Sequence, residues 1–326
     1  MDPLQRMKKQ LVVGLLLLAM RAWSDPVPGS LDVRWSEGAE DCDKAKLAPI
    51  QVHEYEAQTF ILRQSFCADF EAPLLYLLIG DDEALLLDSG AVPDSAQMPL
   101  VETVMGLLPD KGGGKIPLLV LHTHGHGDHR AADAQFKATS GVVVVPPEVE
   151  DLRTTLNLPQ WPDGVAHIAL GGRTVDVIAA PGHQPAHLIF YDDRTALLLT
   201  GDFLLPGRLM VDDLGAYRAS AQRLVTFLGD RPVSHVLGAH IELDANGELF
   251  RSGSQHHPNE RALALTKADV LGLPQALADF NGFYSTHANY VITNPKRNLL
   301  VVAIGAVLLL VALVWGWRRM RKPKQS

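Results

Sequence analysis

Leu118-Leu119-Val120-Leu121-His122-Thr123-His124-Gly125-His126-Gly127-Asp128-His129 is an apolar run that ends in a glycine-punctuated loop crowded with imidazole and carboxylate side chains. Four consecutive apolar residues of this kind read as a buried strand, and side chains just past a strand end face the mouth of its sheet. Imidazole and carboxylate together suit zinc, and also iron or manganese. Packing offers no account of His124, His126, Asp128 and His129 within six residues.

One loop cannot close two metal sites, so further ligands are needed downstream at strand ends. Pro181-Gly182-His183, Thr200-Gly201-Asp202 and Gly238-Ala239-His240 supply them, each a small residue and then a ligand after an apolar run. Strand candidates cover residues 59–64, 74–79, 84–87, 142–145, 174–180, 188–191, 196–199 and 233–237. Residues 97–108, 217–228 and 259–280 are helix candidates, the last either packed on the domain or acting as a stalk. This mixture predicts an α/β fold with sheets covered by helices on their outer faces. No internal period of 20 to 50 residues recurs, which excludes repeat architectures.

The pattern His-x-His-x-Asp-His, then Pro-Gly-His, Gly-Asp and a last His, resembles the metallo-β-lactamase superfamily over roughly residues 50–242. The resemblance implies an αββα sandwich. It also implies two divalent metal ions, zinc first with iron or manganese as alternatives. His124, His126 and His183 would hold one, Asp128, His129 and His240 the other, and Asp202 would bridge them. Asp88, in Leu-Asp-Ser-Gly, matches a strand-end aspartate that supports the loop by hydrogen bonding. His122 is expected to point away from the metals. His187 is expected to support rather than ligate. Glu242, His256 and His257 either border the pocket or sit in solvated loops.

The chemistry implied is hydrolysis of a small-molecule ester, lactone, thioester or amide, with two cations bringing a shared water near a pKa of about 7 and polarising the attacked oxygen. Asp128 is the candidate catalytic residue, orienting that water and passing a proton to the leaving group. Asp202 matters for the choice of branch. Antibiotic-hydrolysing members of the superfamily carry Cys or Ser there, whereas glyoxalase II-type thioester hydrolases, lactonases and phosphodiesterases carry Asp. Flavo-diiron oxygen reductases usually have Glu where His126 stands. Two other readings stay open: a non-catalytic metal-binding module tethered to a membrane, and a mononuclear iron persulfide dioxygenase-like enzyme.

The chain ends bear on location. Residues 1–24 run from a basic stretch through an apolar one at 11–20 to Ala22-Trp23-Ser24, the order of a signal peptide, with cleavage expected after Ser24. A buried N-terminal helix is the alternative. Residues 299–317 carry no charge, and as a helix they reach roughly 28 Å, close to the roughly 30 Å of bilayer hydrocarbon. Five basic residues follow within 318–326, which would keep that tail cytoplasmic. The site would then lie outside the cytoplasm, on the periplasmic face of the inner membrane if the source is bacterial. The expected organisation is a signal peptide at 1–24, a leader arm at 25–49, the metallo-β-lactamase-like domain at 50–243, a helical extension at 244–297, a transmembrane helix at 298–317 and a basic tail at 318–326.

Of 29 basic and 37 acidic residues, the two ends hold nine basic and one acidic, which leaves 20 against 36 in the middle. A domain that acidic repels phosphate backbones and argues against nucleic acid as partner or substrate. Only two cysteines occur, Cys42 and Cys67. In an exported chain they are free to form a disulfide. Two unlinked buried thiols are the alternative.

Overall fold

Strands covered on both faces need apolar side chains at every position, and the central runs of this chain meet that demand. The computed structural model describes residues 25–320. The expected signal peptide at 1–24 and the last six residues of the basic tail lie outside the described residues. The first half runs β1 (Ile50–Glu56), β2 (Thr59–Gln64), β3 (Leu74–Ile79), β4 (Ala84–Leu87), α1 (Leu100–Leu107), β5 (Asp110–Lys111), β6 (Gly114–Lys115), β7 (Leu118–Leu121), α2 (Gly127–Arg130), α3 (Asp133–Lys137), β8 (Val142–Val144) and α4 (Val149–Thr155). The second half runs β9 (Ala166–Ala169), β10 (Thr174–Ala179), β11 (Leu188–Asp192), β12 (Leu197–Gly201), β13 (Arg208–Met210), α5 (Leu214–Leu228), β14 (His235–Gly238), β15 (Ala264–Leu265), α6 (Lys267–Asp279), β16 (Tyr284–Thr286), β17 (Val291–Thr293) and α7 (Pro295–Met320).

Two six-stranded sheets result, ordered β1-β2-β3-β4-β7-β8 and β15-β14-β12-β11-β10-β9. The period of two along each strand divides the core. In β3, Leu74, Tyr76 and Leu78 face the second sheet and pack with Val175, Val177, Leu188 and Phe190. Their neighbours Leu75, Leu77 and Ile79 face the other way, onto Leu100 and Val104 of α1 and Phe136 of α3. On the far side Ile178, Ile189 and Leu198 pack against Leu224 of α5 and Leu273 of α6. The order is helix, sheet, sheet, helix, the αββα sandwich expected.

The edges hold what the hydrophobic pattern left open. Within residues 25–49 there is little regular structure, yet Trp35 is buried in the inter-sheet core. A Cys42–Cys67 disulfide ties that arm to the chain after β2. The helix candidate at 259–280 begins only at Lys267: Ala264 and Leu265 pair with β14, and Thr266 and Asp269 form a reciprocal capping box. It packs on α5 rather than standing free. β17 then pairs with β13 and β16, so the chain leading to α7 joins a small third sheet. The window Pro295–Trp315 within α7 is long and apolar enough to cross a membrane, with a mean hydropathy of 2.7 and none of it buried.

Candidate metal centre

The candidate site residues sit where β4, β7, β10, β12 and β14 end at one mouth of the sandwich. Two glycines are required by close approach there. A β-carbon on Gly182 would lie 2.5 Å from the Tyr217 Cα, and one on Gly201, whose φ is +51°, would lie 2.6 Å from the Thr123 Cβ. Larger residues would push His183 and Asp202 out of place.

Three imidazole nitrogens converge first. His124 Nε2 lies 2.9 Å from His126 Nδ1, and His183 Nε2 lies 3.2 Å from both. Ligands held 2.0–2.1 Å from one tetrahedral zinc ion are roughly 3.3 Å apart, so this triangle fits such an ion. In the second group Asp128 Oδ2 is 3.0 Å from His129 Nε2 and 3.3 Å from His240 Nε2. Asp202 stands between them: Oδ2 is 3.6 Å from His183 Nε2, and Oδ1 is 3.4 Å from His240 Nε2 and 3.6 Å from His129 Nε2. His129 Nε2 and Asp202 Oδ1 are buried without a hydrogen-bond partner, which suits atoms facing a cation.

The opposite ring nitrogens are tied back, and this aims the free ones inward. His183 Nδ1 donates to the Met210 carbonyl and His240 Nδ1 to the Glu71 carbonyl, each at 2.9 Å. His129 Nδ1 donates to Asp88 Oδ2 at 2.9 Å. Asp88 Oδ1 also accepts the Thr123 backbone N–H at 2.7 Å, and its Oδ2 accepts the Thr123 hydroxyl at 2.9 Å. Thr123, unremarked in the sequence, is therefore the hub that joins Asp88 to the loop.

Charge follows geometry. Burial, reinforced by His129, His187, His183 and His126, holds His124 well below the usual histidine range and keeps its lone pair available. Burial alone would raise Asp128 and Asp202, but His129 and His240 outweigh it and both stay ionised. Burial would likewise lower His240, yet Asp202 and Asp128 push it up to about 10. Carboxylates that draw protons onto His129 and His240 would draw divalent cations by the same attraction.

Of the nearby residues, His122 turns away: Nε2 meets Asp133 at 2.7 Å and Nδ1 the Val145 carbonyl at 3.2 Å. His187 is buried with its ring stacked on His124 at 5.1 Å, and it belongs to none of the groups able to hold a metal among the described residues. Glu242 and His257 line a cleft beside His240. Neither is a solvated loop residue, since Glu242 binds Arg208 at 2.7 Å and the buried His257 stacks on Phe250 at 4.1 Å. His256 is half-buried, with Glu40 at 3.8 Å.

A fold and site of this kind define a class, and the family model described as the metallo-beta-lactamase superfamily matches residues 69–245. The chain belongs to that superfamily. Among curated relatives it is similar to the hydroxyacylglutathione hydrolase of Dechloromonas aromatica, 29% identical over 66% of this chain and 74% of that protein. It is also similar to the acyl-coenzyme A thioesterase MBLAC2 of Gallus gallus, 24% identical over 60% of this chain and 82% of that one. A solved metallo-beta-lactamase from Pontibacter korlensis aligns over 71% of this chain and all of its own at 15% identity, with a TM-score of 0.45.

Proposed function

We propose that this protein is a metal-dependent hydrolase that holds two divalent cations, zinc first among them, and cleaves a small ester, lactone, thioester or amide. The observation that carries the reading is Asp202, whose two oxygens face two separate ligand groups at 3.4 to 3.6 Å. His124, His126 and His183 would hold one cation and Asp128, His129 and His240 the other. Cations held there would lower the pKa of a water toward neutrality and polarise the attacked carbonyl. Asp128, half-buried at the open side, would orient that water and carry a proton. In the balanced reaction the water oxygen bonds the acyl carbon and the bond to the leaving sulfur, oxygen or nitrogen breaks. One water proton ends on the leaving group.

Thioesters head the substrate classes because relatives are named for hydroxyacylglutathione and for acyl-coenzyme A. The Cys42–Cys67 disulfide and the apolar α7 together favour a membrane-anchored protein whose site lies outside the cytoplasm. Metal analysis of the full chain, combined with an ester, lactone, thioester and amide panel, tests the reading. Metal-dependent turnover of one class is expected. Two bound metals with no turnover anywhere would favour a non-catalytic module instead.

A further inference from the structure

Two clefts flank the cluster of ligand side chains. One, of about 210 Å³, borders His240 and carries Phe66, Phe70, Phe250 and Arg208. The other, of about 550 Å³, is lined by Gly182 and His183, by Val149, Trp161, Pro181 and Ala216, and by Lys296. Lys296 is the second residue of α7, the helix able to cross a membrane.

We propose that this second cleft binds the acyl chain of an amphiphilic ester or thioester presented at a membrane surface, with the acyl carbon delivered beside His183. The inference rests on the hydrolase reading above. Its volume falls within the range of small-molecule sites, and its walls are mainly apolar. The polar groups along it are already engaged locally. Asp213 accepts the Ala216 N–H at 2.9 Å as the cap of α5, and Gln184 accepts the Ala186 N–H at 2.8 Å. Lys296 Nζ, at the rim, pairs with Asp212 at 2.6 Å, with the lysine side chain 73% exposed. An ion pair that exposed contributes little and opens readily. A lysine at the head of an apolar helix sits at the headgroup level of a bilayer. A chain leaving the bilayer at the root of α7 therefore meets the cleft without crossing open water.

The test uses full-length protein in phosphatidylcholine nanodiscs. With zinc supplied, kcat/KM for acyl thioesters of one small thiol should rise with chain length, by up to about fourfold per methylene, until the cleft is filled. Ala216→Trp should collapse the ratio of dodecanoyl to acetyl turnover. Independently of turnover, a dodecanoyl amide with a terminal diazirine should label peptides containing Trp161 and Ala216 in metal-free protein. A flat chain-length series in an active enzyme, or label confined to α7, would overturn the inference. Labelling in the cleft without hydrolysis at any length would uphold the acyl site and sink the hydrolase reading on which its catalytic use depends.

Discussion

Asp88→Asn tests whether the support beneath the ligands matters as much as the ligands. Asp88 sits at φ +69°, a left-handed conformation that Asn adopts more readily than Ala, so the amide is the cleaner perturbation. The carboxylate is 2% exposed and accepts from Thr123 N at 2.7 Å and from the Thr123 hydroxyl and His129 Nδ1 at 2.9 Å each. An amide has one acceptor oxygen. With it turned to the Thr123 N–H, an NH2 faces His129 Nδ1, and the ring must move its proton to Nε2, the atom aimed at Asp128 and Asp202. A hydrogen bond to a charged group is worth about 1.5–3 kcal/mol. That corresponds to roughly 10- to 100-fold in metal affinity, the usual effect of losing such a support. The loss should fall mainly on one of two binding steps, because the proposed assignment sets His129 with Asp128 and His240 at one cation, a group whose ligand atoms lie within 4.8 Å of one another. Chelator competition at fixed neutral pH reads both steps. Unchanged affinity in both would show that Asp88 does not hold His129 in its metal-binding orientation.

Asp133 gives a pH prediction. Burial raises its pKa, but hydrogen bonds from His122 and Ser89 outweigh burial and the net direction is down. Stability from a depressed carboxyl is present above the unfolded value of about 3.9 and lost as pH falls through the folded one. With both proteins metal-free, wild-type melting temperature should therefore drop more steeply below about pH 4 than that of Asp133→Asn; parallel curves would contradict this. The Cys42–Cys67 link closes a separation of 25 residues. Its removal in the Cys42→Ser, Cys67→Ser double variant should cost about 3.5 kcal/mol in denaturant unfolding, and an unchanged midpoint would show that the cross-link contributes nothing.

Much of the fold was legible because the central strands are buried on both faces and read as unbroken apolar runs. β7 and the loop after it carry fold and chemistry in the same dozen residues. Elements made by distant pairing were not legible. β13 has three residues and gains its place only against β17, more than 80 positions away. α2, α3 and α4 are too short to show a helical period. The helix candidate from residue 259 started early because Ala264 and Leu265 look helical until β14 pairs with them. At the site, the candidate ligands could be picked out by type and position after strands, and the structure brings them together. Their supports were legible only in part: Asp88 stood out in Leu-Asp-Ser-Gly, whereas Glu71 and Met210 act through backbone carbonyls, which leave no mark on side-chain identity. Thr123 could have been suspected from its place between two histidines.

Asp202 is the residue proposed to join two metal sites into one centre. Metal content per chain, measured on full-length wild type and Asp202→Ala with hydrolysis followed in the same samples, tests it most directly. Two metals per wild-type chain are expected, and in the variant a fall to one or fewer together with loss of turnover. Two tightly held metals and undiminished turnover in Asp202→Ala would contradict it.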